Sequence, residues 1–194
     1  EIKTAALIGL GAIGGYAAPR LETALGQEGF TVIAGGERKR RLEQEGCCIN
    51  DTVWKFHIGD PEEAEEPADL VIFAVKYHGL RQAARDAAGY IGKNTILMSL
   101  LNGVDSEDIL REYFLDQHIL YSVIRIPSIH ENGKISYPDG WGEISFGEAV
   151  NAQLSQEVQA VKDLFEKSGI GYQIPRDMKK NMWHKFMTNV SENQ

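Results

Sequence analysis

Residues 7–15 read LIGLGAIGG, and this short stretch decides the fold. An apolar run ends in six residues with the spacing of a dinucleotide-binding turn: Gly9, Leu10, Gly11, Ala12, Ile13 and Gly14. The first glycine permits a tight turn, the second lets a pyrophosphate approach the backbone, and the third allows close packing of helix on strand. The alternative is a glycine turn with a purely structural role. Because the motif follows a strand and opens a helix, we predict that these six residues bind a dinucleotide.

The remaining chain repeats the order of strand followed by helix. Apolar runs typical of buried parallel strands occupy residues 4–11, 30–36, 68–76 and 94–103. Amphipathic segments between and after them predict helices over residues 12–29, 37–46, 79–91, 106–114 (with Ser106 as the capping residue) and 155–169. In residues 118–148 the alternation of strand and helix stops, and the pattern predicts antiparallel strands that extend one edge of the sheet. The pattern therefore predicts an α/β fold, a Rossmann-type, doubly wound and mostly parallel sheet with antiparallel edge strands.

Composition excludes several classes of function. The chain has 194 residues and a net charge of −8, and nucleic-acid binding usually needs a basic face. No apolar run approaches the length of a membrane span, so we expect no membrane partner. The two cysteines, Cys47 and Cys48, are adjacent, a spacing that rarely forms a structural disulfide and does not suit a metal site. We therefore expect a reducing, cytoplasmic setting and no bound metal.

The residues after the second strand bear on the choice between NAD and NADP. The strand ends in IAGGERKRR, which places no carboxylate at Ala34, Gly35 or Gly36. An acidic residue here favours the 2′-hydroxyl of NAD, whereas arginine favours the 2′-phosphate of NADP. Arg38 is the first candidate for that phosphate, followed by Lys39 and Arg41, and Glu37 is a competitor. The alternative is that these charged residues only form a solvated helix face, but the basic residues and the missing carboxylate favour NADP.

Two more strand ends carry polar residues. Lys76 follows the run VIFAV, and Asn102 with Gly103 follows LMSLL. Ligands of open α/β sheets bind at the carboxyl ends of the strands, so Lys76 and Asn102 are candidate contacts for the cofactor. The alternatives are a surface lysine and an ordinary Asn-Gly turn.

The last segment, residues 182–194, reads MWHKFMTNVSENQ and predicts a helix. Lys185, Asn189 and Asn193 recur every four residues at or beside the edge of its apolar arc. Polar groups at the border of a buried face need partners, and a polar ligand is one such partner. In that case Lys185 donates a proton or a hydrogen bond to a carbonyl oxygen and the amides bind hydroxyl or carboxylate groups. The alternative is a boundary helix whose polar side chains are solvated.

Taken in order, these pieces resemble the ketopantoate reductase (2-dehydropantoate 2-reductase) family. The resemblance rests on GLGAIGG, IAGGER, AVK, LLNGV, SFGE and WHKFMTN, and it covers nearly the whole chain. It implies a Rossmann domain followed by an all-helical domain, and the NADPH-dependent reduction of ketopantoate to pantoate in pantothenate biosynthesis. We therefore predict an NAD(P)-binding domain over residues 1–175, and a linker with the first helix of a helical substrate domain over residues 176–194.

The resemblance also implies residue roles. Lys185 matches the lysine that acts as general acid on the ketone oxygen, and Asn189 and Asn193 match substrate-binding amides. Asn102 matches an asparagine near nicotinamide and substrate, and Lys76 matches a lysine that helps to hold the cofactor and the substrate. The implied ligands are NADP (NADPH) and a small 2-oxo acid, and a homodimer is one assembly that the resemblance allows.

The chain departs from the family pattern in two respects. The family often has arginine where this chain has Gly35, so that the 2′-phosphate contact passes to Arg38. Almost all of the helical domain lies outside the sequence, which reads as a fragment ending just inside that domain. We expect such a fragment to bind the cofactor but to turn over poorly, since half of the substrate cleft is absent.

Other functions stay open. One is an NAD(P)-dependent reductase of a different 2-oxo acid, an imine or a β-hydroxy acid. Another is a non-catalytic Rossmann module that senses a cofactor, for which Lys185 and the two amides would have no task. Short-chain dehydrogenases are disfavoured because no tyrosine has a lysine four residues later. Methyltransferases are disfavoured because no acidic residue ends the second strand.

Overall fold

The structure, a computed structural model, describes residues 1–64, 66–101, 105–127 and 129–192, and all of their side chains except those of residues 129, 186 and 188–192. Its helices are α1 (Gly14–Leu25), α2 (Gly36–Glu45), α3 (Leu80–Ala87), α4 (Ser106–Tyr113), α5 (Gln156–Ser168) and α6 (Met178–Glu192). Its strands are β1 (Ala5–Ile8), β2 (Phe30–Ile33), β3 (Cys47–Ile49), β4 (Thr52–Trp54), β5 (Ile58–Gly59), β6 (Leu70–Phe73), β7 (Ile96–Ser99), β8 (His118–Arg125), β9 (Ile129–Glu131), β10 (Lys134–Ser136), β11 (Glu143–Gly147) and β12 (Tyr172–Gln173).

The main sheet has eight strands in the order β12-β11-β8-β7-β6-β1-β2-β5. The strands from β8 to β5 pair in parallel, and β11 joins the edge of β8 in the antiparallel sense. The order reverses on either side of β1, which is the doubly wound topology that the strand–helix alternation predicts. The predicted fold class is thus confirmed.

The continuous apolar runs are explained by burial on both faces of this sheet. In β6, Leu70 and Ile72 pack with α1 and α5, whereas Val71 and Phe73 point to the opposite face and pack with α3 and α4. Each of these four side chains is fully buried. Phe165 of α5 lies against Phe146 of β11 with ring centroids 5.1 Å apart, so that the aromatic contact fixes the antiparallel edge under its helix.

One prediction about the late strands is wrong. β11 extends the edge of the main sheet as expected, but the hairpin β9–β10 leaves it and forms a second, four-stranded sheet in the order β4-β3-β10-β9. Here β10 pairs in parallel with β3, and its central residue Ile135 is 1% exposed. A Cβ atom on Gly15 would lie 2.8 Å from Cδ1 of Ile135, so this side chain packs directly on α1. Burial of Ile135 against α1 therefore draws the hairpin away from the main sheet.

Helix boundaries differ from the predicted ones where caps decide them. α1 begins at Gly14 rather than at residue 12, and Pro19 lies inside it. α5 begins as expected, because the Ser155 hydroxyl accepts a hydrogen bond from the Val158 amide at 3.1 Å. The prediction that Ser106 caps α4 is wrong. Ser106 is the first helical residue, and its hydroxyl donates to the Glu107 carboxylate instead of accepting from a helix amide.

The tail forms α6, which packs on β8 and β11. Met178 and Met182 are buried against Val123 of β8, and Tyr121 flanks them. This contact places the helix beside the carboxyl end of β8. The division of the chain at residue 175 remains a prediction.

Candidate functional site

The glycine turn after β1 has the shape that its sequence predicts. Gly9 has a φ of +104°, and a Cβ atom there would lie 2.6 Å from the carbonyl carbon and oxygen of Ala74. A Cβ atom on Gly14 would lie 2.1 Å from the carbonyl oxygen of Gly9, so the start of α1 packs directly on the turn. By contrast, a Cβ atom on Gly11 would meet no atom of the described residues within 4 Å. The two outer glycines are needed by the fold, and the central one keeps open space in front of the backbone, as a bound pyrophosphate requires.

A cleft of about 390 Å³ opens in front of this turn. It is lined by Gly11, Ala12, Ile13, Ala74, Val75, Lys76, Tyr77, Leu101 and His130. The glycine turn, the end of β6 and the end of β7 therefore share one cavity. Its position at the carboxyl ends of the central strands is where open α/β sheets bind their ligands.

Lys76 is one of the residues that line the cleft. It follows β6 in an extended conformation and is exposed, directly before a short 3₁₀ turn over Tyr77–Gly79. The Ala74 amide donates to the Ile8 carbonyl at 2.9 Å, which ties the segment before Lys76 to β1. Lys76 therefore follows a strand end that is hydrogen-bonded to β1, and it lies across the cleft from the glycine turn.

Arg38 is the cationic residue of α2 that lies against the glycine turn. Its Nη2 donates to the Leu10 carbonyl at 3.2 Å. Glu37, the competing carboxylate, is held by Arg40 at 2.6 Å. Lys39 faces the other way, toward Asp60 at 3.9 Å. Arg38 could therefore hold a 2′-phosphate, because it is positively charged, follows β2 and contacts the glycine turn.

Lys185 is half-buried on α6, and its Nζ donates to the Ile124 carbonyl of β8. Burial, and secondarily the nearby Arg125, lowers the pKa of Lys185 to about 8. The lysine thus lies near the carboxyl end of β8, at the same edge of the sheet as the glycine turn. A lysine whose pKa lies near neutrality can donate a proton at physiological pH.

Three predicted substrate or cofactor contacts cannot be placed. Asn102 and Asn193 lie outside the described residues, as does the side chain of Asn189, although its backbone is part of α6. Leu101, the residue before Asn102, lines the cleft.

Glu107 is a buried acid that no sequence motif marks as functional. Its side chain is 0% exposed at the start of α4, and Oε1 has no hydrogen-bond partner among the residues that the structure describes. Burial raises its pKa to about 7, although the Ser106 hydroxyl and the backbone amides of Glu107 and Ser122 oppose this shift. Ser122 lies on β8 beyond the last residue that pairs with β7, and its hydroxyl donates to the Ser99 carbonyl at the end of β7. The Glu107 carboxyl is therefore buried beside the ends of these two strands.

His130 is the other residue that sequence reasoning missed. It lies on β9 of the second sheet and reaches the cleft of the glycine turn. No motif marks it, because its place depends on the pairing of β10 with β3, which sequence patterns do not reveal.

Other polar clusters lie away from this edge. His118, Glu148 and Glu157 have ligand atoms within 4.8 Å of one another and could approach a metal ion. His118 begins β8, so this trio lies at the amino end of that strand. Cys47 and Cys48 are both free thiols. Among the helices in the described ranges, none has the length and apolar character of a membrane span.

The sheet order and the glycine turn define an α/β domain of the Rossmann type. A family model described as ketopantoate reductase PanE/ApbA matches residues 5–151. This match covers more than half of the sequence, so the chain belongs to the ketopantoate reductase family, a family of oxidoreductases.

Individual relatives agree with this assignment. The 2-dehydropantoate 2-reductase of Streptococcus pyogenes serotype M6 is 30% identical over 145 residues, which cover 75% of this chain and 47% of the relative. The chain thus spans about half the length of the curated relatives that it matches first. The structure of 2-dehydropantoate 2-reductase from Geobacter metallireducens superposes with a TM-score of 0.80 at 22% identity, covering 96% of this chain and 62% of that one. A D-mandelate dehydrogenase in complex with NADH gives a TM-score of 0.79 at 21% identity, covering 94% and 58%. At these identities the solved structures show a shared fold alone.

Proposed function

We propose that the protein containing this chain reduces ketopantoate (2-dehydropantoate) to pantoate with NADPH, a step in pantothenate biosynthesis. The observation that carries the proposal is the single cleft that combines the glycine turn with Lys76, while Lys185 lies at the same edge of the sheet. Membership of the ketopantoate reductase family supports the substrate. The free thiols of Cys47 and Cys48 support a reducing, cytoplasmic setting.

The residues present fit a bound dinucleotide. The open space in front of Gly11 accommodates the pyrophosphate, and the amino end of α1 attracts its charge. Lys76 adds a positive charge on the opposite side of the cleft. Arg38 binds the 2′-phosphate, which favours NADPH over NADH, because the nearby Glu37 is already engaged by Arg40.

When bound, the reduced nicotinamide supplies a hydride to the keto carbon. Lys185 then donates a proton from Nζ to the ketone oxygen, which becomes the hydroxyl of the product. Its hydrogen bond to the Ile124 carbonyl orients the ammonium group, and a pKa of about 8 keeps it protonated at neutral pH. We propose that Asn102, Asn189 and Asn193 bind the hydroxyl and carboxylate groups of the substrate.

Replacement of Lys185 tests this function in the full-length protein. We expect Lys185→Ala to lower kcat for ketopantoate-dependent oxidation of NADPH by roughly 10²- to 10⁴-fold, the usual contribution of a general acid. Binding of NADPH should stay within about twofold, since no cofactor contact is removed. Lys180→Ala, which removes an exposed lysine from the same helix, is the matched control and should keep wild-type turnover. Wild-type turnover by Lys185→Ala would rule out the acid role.

A second candidate is the reduction of a different 2-oxo acid. The fold similarity to a D-mandelate dehydrogenase favours it, since mandelate is a 2-hydroxy acid whose oxidation product is a 2-oxo acid. A panel of 2-oxo acids distinguishes the two candidates by the ratio of their kcat/KM values. Binding of NADPH without turnover of any acid in the panel would instead support a cofactor-sensing module.

A further inference from the structure

The second sheet brings a histidine to the cleft of the glycine turn. In the hairpin β9–β10, His130 lies directly opposite Ile135. Side chains of directly opposed residues in an antiparallel pair lie on the same face. Ile135 points to α1 and packs on Gly15, so His130 points to the same side, toward the start of that helix.

The hairpin that carries His130 is fixed to the body of the domain. The Asn50 amide donates to the Ile135 carbonyl at 2.9 Å, and the Tyr137 amide donates to the Asn50 side chain at 2.9 Å. Tyr137 also meets the ring of Tyr16 on α1, with ring centroids 5.5 Å apart. His130 is therefore held over the cleft by a packed sheet rather than by a free loop.

The charge of the cleft suits an anionic ligand. None of the described residues that line it carries a carboxylate, although the whole chain has a net charge of −8. Lys76 and His130 supply its basic groups. An imidazole can donate a hydrogen bond to a phosphate oxygen or to a ribose hydroxyl.

The strand order indicates which part of a dinucleotide His130 meets. Arg38 follows β2, on one side of β1, and marks the adenosine end of the site. The cleft with His130 extends to the other side of β1, where Lys76 follows β6 and Leu101 follows β7. That side holds the nicotinamide end in a doubly wound sheet of this kind.

We infer that His130 is a further cofactor-binding residue, which donates a hydrogen bond to the nicotinamide-side phosphate or to the nicotinamide-side ribose of NADPH. This inference rests on the proposed function, because it assumes that a nicotinamide dinucleotide occupies the cleft. It adds a contact from the second sheet to those expected from the glycine turn, Arg38 and Lys76. The second sheet then serves binding as well as the packing of α1.

The test measures ligand affinity in the full-length protein by titration calorimetry. We expect His130→Ala to weaken binding of NADPH about tenfold, the value of one hydrogen bond to a charged group. Binding of 2′,5′-ADP, which lacks the nicotinamide half, should be unchanged. His130→Gln keeps a donor and should recover most of the affinity. His57→Ala, which replaces an exposed histidine outside the cleft, should bind both ligands as the wild type does.

Two results would overturn the inference alone. One is wild-type affinity of His130→Ala for NADPH, and the other is an equal loss for NADPH and 2′,5′-ADP, which would indicate a general disturbance of the site. A melting temperature within about two degrees of the wild type confirms that the variant is folded. If the wild-type protein binds no nicotinamide dinucleotide, the proposed function itself is overturned. The titration of the wild-type protein shows this result before any variant is measured.

Discussion

Replacing Glu107 by glutamine should change how the stability of the protein depends on pH. The Glu107 side chain is 0% exposed, and burial raises its pKa to about 7 from an ordinary value of 4.5. This difference corresponds to about 3 kcal/mol, because one pKa unit is worth about 1.4 kcal/mol.

The sign follows from proton binding. Between pH 4.5 and about 7 the folded protein keeps a proton on Glu107 that the unfolded chain has lost. The free energy of unfolding therefore falls as the pH rises through this window and is insensitive to Glu107 above it. Glu107→Gln is neutral in both states, so its stability lacks this contribution. Relative to the wild type, the variant should gain up to about 3 kcal/mol between pH 4.5 and pH 8.

Urea unfolding of both proteins at pH 5, 6, 7 and 8 measures this effect. The difference in unfolding free energy between variant and wild type cancels the titration of the other carboxyl groups. Asp116→Asn, at an exposed position, is the control, and its difference from the wild type should stay constant over the same range. A constant difference for Glu107→Gln as well would refute the account of a buried, protonated carboxyl.

Three further perturbations test the site and the turn. Arg38→Ala should raise the KM for NADPH about tenfold while leaving the KM for NADH nearly unchanged, because only NADPH has the 2′-phosphate. Arg85→Ala, which removes an exposed arginine of α3, is the control, and equal effects on both cofactors would contradict the role of Arg38. The kcat of the full-length enzyme should fall above pH about 8 as Lys185 loses its proton, and a profile flat to pH 10 would exclude Lys185 as the acid. Gly9→Ala should destabilise the domain by about 3 kcal/mol in urea unfolding, because φ is +104° and the new Cβ would lie 2.6 Å from the Ala74 backbone; an unchanged midpoint would show that the turn can relax.

Local patterns were sufficient to predict the part of the site that is built from neighbouring residues. The strand, turn and helix around Gly9 and Gly14 follow from the spacing of the glycines, because a side chain at either position would clash with nearby backbone. The placement of Lys76 follows from the end of a continuous apolar strand. The position of Arg38 beside the glycine turn follows from its place directly after the second strand of such a sheet.

Contacts between distant segments explain what the sequence could not reveal. The pairing of β10 with β3 joins residues far apart in the chain, and its strands are only three residues long, too short for a clear period. The place of His130 depends on that pairing. No sequence pattern marks Glu107 as buried, and its environment depends on its contact with Ser122 of β8. In each case tertiary packing, rather than local propensity, sets the environment.

The central claim is that the cleft in front of the glycine turn binds a nicotinamide dinucleotide. It is tested most directly by titrating NADPH into the full-length wild-type protein and into Gly11→Ala and Gly11→Val. Since a Cβ atom on Gly11 would meet no atom of the described part of the chain within 4 Å, the variants should fold normally while filling the space in front of the turn where the pyrophosphate would bind. The account predicts unchanged melting temperatures and an affinity for NADPH that falls stepwise, by more than tenfold for valine. Wild-type affinity in Gly11→Val would contradict it.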